Sequence, residues 1–530
     1  MWQRNRVILP FVLASLAGLL ACGSSNNAVP PPSGGFSNSN LSGTYVFSST
    51  GVDANGIFLA VVGTLQADGK GGINGGMIDV NGLDVGPSSS AITSGNYAIS
   101  VDGRGRATLN SNTSLAPSIG LAFVLTSGGG MSSVSSHGLV TEFDGNGTGS
   151  GTIDLQSTGS LQSSYGFEFS GATASGGTEL PFAMAGAFTV GGTGTISSGI
   201  ADINNNGIST GGTNGLTLTG SVAAGAPGKA SLSTSAGTFN FDVYMVDSTH
   251  LKFIETDALP AVAGDAFTQE ASIPAGVLTY TMGGADVGGL PLAMGGFMTS
   301  DGSKDISAGF EDYNDAGMVN TTPVPTFSGS YTPLSGGRTV LTLNSIYNGD
   351  NQILTPTVTF AAYPTSGGIG LLEIDSAGVT GGVAFAQTAT SFAASQGYGL
   401  NLTAINGGNG SGEFEEDDIA EFTVNADNTF KGLEDINDEG SGASGQAFSG
   451  KLKPDTTIPG HGFATSNEFN FNYYVVDGST VLILETDQTQ VGFGSFLEQG
   501  SIQVGASPQT HFMIVRPKAS ARIAGRQRNK

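Results

Sequence analysis

LPFAMAGAFTVGGTGTISSGIADINNNG, Leu180 to Gly207, is an apolar run, a glycine-rich turn, a second run ending at Asp202, and a polar turn. The pattern occurs three more times. It reads IFLAVVGTLQADGKGGINGGMIDVNG from Ile57 to Gly82, LPLAMGGFMTSDGSKDISAGFEDYNDAG from Leu290 to Gly317, and DIAEFTVNADNTFKGLEDINDEG from Asp418 to Gly440. Self-similarity at a fixed long period marks a tandem array. Each copy closes on a glutamine: Ile153-Asp-Leu-Gln156, Phe267-Thr-Gln269, Phe385-Ala-Gln387 and Phe496-Leu-Glu-Gln499. These glutamines lie 113, 118 and 112 residues apart, so the repeats span 36–156, 157–269, 270–387 and 388–499.

Glycine fills 85 of 530 positions and charged residues only 12%, which excludes a disordered polyelectrolyte. Short apolar runs between Gly, Ser, Asn and Asp turns are the composition of an all-β protein. In the second repeat, eight strands are expected to begin at Tyr165, Phe182, Gly199, Leu216, Lys229, Phe239, Leu251 and Asp265. Phe239-Asn-Phe-Asp-Val-Tyr-Met-Val alternates with the period of a strand that buries one face. Phe239, Phe241, Val243 and Met245 share one side; Asn240, Asp242 and Tyr244 share the other. Phe469-Asn-Phe-Asn-Tyr-Tyr-Val-Val repeats this in the fourth unit, and a slip of one residue would turn every aromatic outward. Four tandem domains of about eight antiparallel strands follow. A meander closed into a barrel is favoured because closure removes sheet edges, with a Greek-key sandwich as the alternative. In size and strand count the repeats are similar to avidin and lipocalin barrels, a likeness of architecture that brings no motif of either family.

Met1–Ala21 has a basic start, Arg4 and Arg6, and an apolar run of 15 residues from Val7. That is short of the roughly 20 residues that span a bilayer but suits a secretory signal. The run ends Leu19-Leu20-Ala21-Cys22, which resembles the lipobox of bacterial lipoproteins. The resemblance covers only these first 22 residues. It implies that Cys22, the sole cysteine, is diacylated and becomes the N-terminus, anchoring the chain to a membrane without spanning it. Residues 22–35, with GSSNNAVPPPSGG after the cysteine, read as a flexible tether. Gly23 is not an aspartate, so inner-membrane retention is not signalled and the outer membrane is the expected address.

The net charge of −25 is uneven. The leader and the 500–530 tail hold eight of the 18 basic residues and no acid, leaving the body at about −33. Such a surface repels phosphate backbones, so no nucleic-acid partner is expected. Within the tail, 501–515 reads as one further strand, and the basic end after it as a solvated, disordered extension.

The turn after the third strand recurs as Asp79-Val-Asn81, Asp202-Ile-Asn204-Asn-Asn206, Asp312-Tyr-Asn314 and Asp435-Ile-Asn437-Asp-Glu439. Oxygen-bearing residues at alternate positions before a glycine resemble the first half of a calcium loop, making calcium the one cofactor suggested. Its ligands would be Asp202, Asn204 and Asn206, and Asp435, Asn437 and Glu439. The competing reading is an Asx hairpin turn, and the glutamate that completes a calcium loop is missing. Glu255-Thr-Asp257, Glu373-Ile-Asp375 and Glu485-Thr-Asp487 read as solvated strand ends. The first repeat shows a Ser/Gly-rich run, Ser127–Gly138, in place of that motif, as an atypical capping unit would. Glu413–Asp418 reads as an exposed acidic loop.

Signals for catalysis are sparse. His137, His250, His461 and His511 show no metal-ligand spacing and no shared repeat position. Gly207-Ile-Ser209-Thr-Gly211 matches G-x-S-x-G without the helix that a nucleophile elbow requires. The expectation is a non-enzymatic, lipid-anchored envelope protein with a structural, adhesive or binding role toward a polysaccharide or protein partner. A calcium- or small-ligand-binding lipoprotein is the alternative, and an envelope hydrolase ranks last.

Overall fold

A strand that alternates aromatic and polar side chains must bury its aromatic face, and here it does so by curling its sheet shut. The computed structural model describes residues 35–113, 116–127, 133–225, 227–286, 288–320, 326–344, 357–376, 378–394, 396–406 and 414–500. The signal segment, Cys22, the tether up to Gly34, His511 and the basic tail lie outside them. The described chain forms four closed, eight-stranded antiparallel barrels in tandem, which decides for the barrel over the sandwich.

In the first barrel, strands run from Ser42–Asp53 and Phe58–Asp68 round to His137–Glu142 and Gly147–Leu155. The last pairs with the first, Leu155 opposite Tyr45. The fourth closes the same way, Glu498 opposite Tyr398. In the second and third barrels the fourth strand is broken into short pieces: Ile208–Thr210, Leu216–Thr217 and Thr219–Ala223, then Met318–Val319 and Phe327–Pro333. Their first and last strands still pair.

Inward faces fill the barrels. Phe239, Phe241, Val243 and Met245 are buried together with Phe167, Phe169 and Phe253. The ring of Phe169 sits 4.9 Å from that of Phe241 and 5.1 Å from that of Phe253. Each such side chain contributes roughly 1.5–3 kcal/mol on burial, so the array needs no disulfide.

The outward faces are also used. Early strands of each barrel pack on late strands of the next, and the fourth returns to the first. Strands Gly397–Asn406 and Phe414–Val424 lie against Ser118–Leu125, His137–Glu142 and Gly147–Leu155. The four barrels therefore make a closed ring, in which a repeated head-to-tail contact meets itself after four units. Apolar patches seal the contacts unequally. Val46, Phe58, Ala60 and Val62 meet Ala172, Tyr244, Val246, Ile254, Ala261 and Ala263 between barrels one and two. The closing contact between barrels four and one buries only Ala122, Val124 and Leu139 against Ile419 and Leu497.

Two acidic readings are corrected by this packing. Residues 414–418 of the supposed acidic loop are strand, part of Phe414–Val424, and Glu415, Asp417 and Asp418 are buried. Asp417 faces barrel one, where Thr148 Oγ1 and Ser150 Oγ each donate to it at 2.7 Å. The Glu-x-Asp pairs are not solvated ends, since Glu255, Glu373 and Glu485 are buried. The first repeat also carries the motif, as Glu142-Phe143-Asp144, with Glu142 buried like its counterparts. The serine/glycine run precedes the strand instead of replacing it, which hid the match.

Candidate functional site

Four equivalent junctions hold the repeated turns. At each, the asparagine amide reaches backbone carbonyls of the next barrel. Asn81 donates to Glu255 at 2.8 Å and Asp257 at 3.1 Å, and Asn204 to Glu373 at 2.9 Å and Gly378 at 3.0 Å. Asn314 donates to Glu485, Asp487 and Gln490, and Asn437 closes the ring on Glu142 at 2.6 Å and Gly147 at 2.8 Å. In three of them the asparagine Oδ1 also accepts the N–H of the turn glycine, as an Asx turn does: Gly207, Gly317 and Gly440. Gly317 is required twice over, by its φ of +88° and by the Gln488 carbonyl 2.1 Å from where a Cβ would stand.

In three of the turns the aspartate accepts a hydrogen bond from an equivalent tyrosine of the next barrel. Tyr244 donates to Asp79 at 2.6 Å, Tyr363 to Asp202 at 2.5 Å, and Tyr474 to Asp312 at 2.8 Å. Asp202 is also gripped by Arg338, Nε at 2.6 Å and Nη2 at 2.8 Å, and Asp312 by His461 Nε2 at 3.0 Å. Barrel one has no such tyrosine, and Asp435 instead pairs with Arg106 at 3.0 Å and Arg104 at 3.7 Å. The residues read as calcium ligands are thus engaged otherwise. Asp202 and Asp435 each face a guanidinium, Asn204 and Asn437 hold carbonyls, and Asn206 and Glu439 are positive-φ turn residues. Among the described residues, no group of three or more His, Cys, Asp and Glu is arranged to hold a metal ion.

The closing glutamines form a second set of ties. Gln156 Nε2 donates to Met245, Gln269 to Gly336, Gln387 to Val475, and Gln499 to both Asp102 and Leu125. The Glu-x-Asp motif serves the same junctions. Its glutamate carbonyl receives the asparagine amide, and its aspartate caps a backbone N–H of the preceding strand: Gly120, Asn240, Thr359 or Asn470.

The buried glutamates hold their protons tightly. Burial, reinforced by Asp144, pushes the Glu142 carboxyl up to about 8. Burial and Asp257 push Glu255 up to about 9, and burial raises Glu373 and Glu485 well above the usual range. A carboxyl whose pKa rises on folding stabilises the fold below its unfolded pKa, near 4.3, and loses that contribution as pH climbs through the folded value. Stability is therefore expected to fall between about pH 4.5 and 9. In Glu255→Gln, the slope of unfolding free energy against pH, followed by urea titration, should be shallower. Parallel curves for variant and parent would show Glu255 to be ionised in the fold.

Barrel four concentrates this effect. Burial raises Asp418, Glu434 and Glu485 well above the usual carboxylate range, Glu416 adds to the rise in all three, and Glu434 adds to it in Asp418 and Glu485. Leu59 and Val61, Phe182 and Met184, and Leu292 and Met294 occupy the positions of Glu416 and Asp418 in the other repeats.

Two histidines share a repeat position, contrary to the sequence reading. His137 and His250 each open the seventh strand of their barrel. They end one buried chain of charge: His137 Nδ1 to Asp154 at 2.6 Å, Asp154 to Lys252 Nζ at 3.4 Å, Lys252 to Asp265 at 3.0 Å, and Asp265 to His250 Nε2 at 2.6 Å. Burial opposes charge on Asp154, but Lys252 and His137 hold it well below the usual carboxylate range. This is an internal ion pair between barrels one and two. Ser209 of the G-x-S-x-G string lies on the short strand Ile208–Thr210, paired with Asn204 and not on a strand–helix elbow.

Sequence reasoning missed Arg338, which shares its repeat position with Arg104 and His461, and the junction tyrosines. A signal for the latter existed: Tyr244, Tyr363 and Tyr474 each precede the buried glutamate by ten or eleven residues.

At the hub, where barrels one, two and three converge, lies a cavity of about 60 Å³ reached by Ser48, Thr50, Glu168, Asp265, Phe267 and Val383.

No protein-family model and no curated protein matches the chain. Among solved structures, a double mutant of the vaccine antigen transferrin-binding protein B from Haemophilus parasuis is 9% identical. That match covers 72% of this chain and 86% of the other at a TM-score of 0.18. The alcaligin outer-membrane receptor of Bordetella pertussis is 8% identical, over 86% and 75%, at a TM-score of 0.12. At these scores neither superposes on the ring.

Proposed function

We propose that this chain is a lipid-anchored cell-envelope protein whose ring of four barrels is a rigid scaffold with a structural or binding role toward a polysaccharide or protein partner, not a catalyst. The observation that carries the reading is where its polar side chains go. The repeated Asp, Asn, Gln, Glu and Tyr residues join barrel to barrel instead of converging on a cleft. Two sets of hydrogen bonds at every junction suit a part that must keep its shape while its loops face outward. The lipobox-like Leu19–Cys22 and the tether supply the anchor in this reading, which puts the ring at the outer membrane. No helix among the described residues is long and apolar enough to cross a membrane.

Expression of the full chain in a bacterial host that processes lipoproteins tests the anchor. The parent should partition into detergent and gain the mass of acyl chains at Cys22, while Cys22→Ser should be released to the aqueous phase. A parent protein that stays aqueous and unmodified would remove the anchored reading.

A further inference from the structure

We propose that the hub cavity between barrels one, two and three is a binding site for a small organic ammonium ion, held by Glu168 and Thr50. Glu168 leaves strand Ser164–Ser175 on the face opposite Phe167 and Phe169, which belong to the core of barrel two. Its carboxyl enters the cavity and stands over Gly370 of barrel three, where a Cβ would lie 2.3 Å from Oε1. The glycine leaves the space that the carboxyl occupies.

Two polar atoms on this cavity have no hydrogen-bond partner, Glu168 Oε1 and Thr50 Oγ1, and Thr50 is 8% exposed. Buried polar atoms without partners cost about 1–3 kcal/mol each and call for a guest that supplies them. The guest should carry positive charge. The other acid on the cavity, Asp265, is already balanced by Lys252 and His250, so Glu168 is the carboxyl left without a counter-charge. It should also carry a short hydrocarbon part, because Phe267 and Val383 line the remaining wall. Size sets the limit: about 60 Å³ is well under the ~150 Å³ that admits benzene, so a guest of one to three carbons fits.

The titratable groups that share the cavity with Glu168 are Asp265 on barrel two, paired with His250 and Lys252, and Tyr363 on barrel three, whose hydroxyl is given to Asp202. Barrel one contributes Ser48, Thr50 and Ser150, the last donating to Asp417 of barrel four. Burial raises the Glu168 carboxyl well above its usual range, with the Leu371 N–H pulling the other way and Asp265 adding to the rise. Binding of an ammonium ion must therefore release the proton of the carboxyl. Apparent affinity should rise about tenfold per pH unit while the carboxyl remains protonated when empty.

Calorimetric titration of the detergent-solubilised full chain with ethylammonium chloride, against sodium chloride at equal ionic strength, decides the matter. Three non-hydrogen atoms limit the affinity to a Kd on the order of 1 mM. The expected result is a saturable one-to-one heat that strengthens as pH rises, is accompanied by proton release, and is absent in Glu168→Gln. Glu168→Gln should melt no lower than the parent, because it removes a buried ionisable group. No saturable heat in the parent would mean that the cavity holds only water. Equal heat in Glu168→Gln would place the binding elsewhere. Either outcome overturns the proposal.

Discussion

Arg338→Ala should be the most damaging single substitution at the ring's junctions, costing about 3–5 kcal/mol. The side chain is fully buried and bidentate on Asp202, and its remaining donors meet the carbonyls of Gly212 and Thr213 at 2.7 and 2.8 Å. Removing it strands a buried carboxylate and two carbonyls, which is why the loss exceeds that of a surface ion pair, usually under about 1 kcal/mol. The turn that presents Arg338 is built for it. Gly337 has φ near +82° and gives Gln269 passage, since a Cβ there would collide with its amide. Hydrogen exchange and guanidinium unfolding should show barrels two and three losing protection first, before barrels one and four. The double variant Arg338→Met with Asp202→Leu should recover most of the loss, because an apolar pair of similar volume leaves no charge unpaired. A single-variant cost below about 1 kcal/mol would mean that water reaches the pair.

Opening the ring is the second large effect. The contact between barrels four and one has the smallest apolar patch and depends on polar ties: Asn437 and Gln499, Asp417 with Thr148 and Ser150, and Arg106 with Asp435. Asn437→Ala with Gln499→Ala leaves four buried carbonyls without donors, those of Glu142, Gly147, Asp102 and Leu125. At about 1 kcal/mol for each lost bond, the closing contact should be weakened by roughly 4 kcal/mol. Small-angle scattering should then show a larger maximum dimension, with each barrel still folded by circular dichroism. The matched pair Asn81→Ala with Gln156→Ala, at the more apolar contact between barrels one and two, should change the scattering less. Unchanged scattering from the first pair would show that the apolar contacts alone hold the ring.

How far the chain can be read without its structure depends on whether a residue's partners are local. The alternation Phe239-Asn-Phe-Asp-Val-Tyr-Met-Val and the turn chemistry of Asn204 and Gly207 are local, and both appear in the fold as the sequence implies. The misread residues are those whose partners lie over a hundred positions away. Asp242 and Tyr244 share the polar face of their strand, yet both are buried, because barrel one covers that face. Glu255, Glu373, Glu485 and Asp417 look like solvated acids until a neighbouring barrel takes away their water. Arg338 sits in an ordinary-looking turn, and its role appears only when Asp202 comes to it from another repeat.

By itself, then, the amino-acid sequence determined the all-β class, the fourfold repetition and the strand faces, because period-two burial and glycine turns act within a few residues. The tertiary structure alone decided that the array closes into a ring, that its acids are buried and hold protons, and that a cavity forms at the hub. Those features come from surfaces meeting across the repeats, and one chain's pattern of hydrophobicity carries no record of which outward face another barrel will cover.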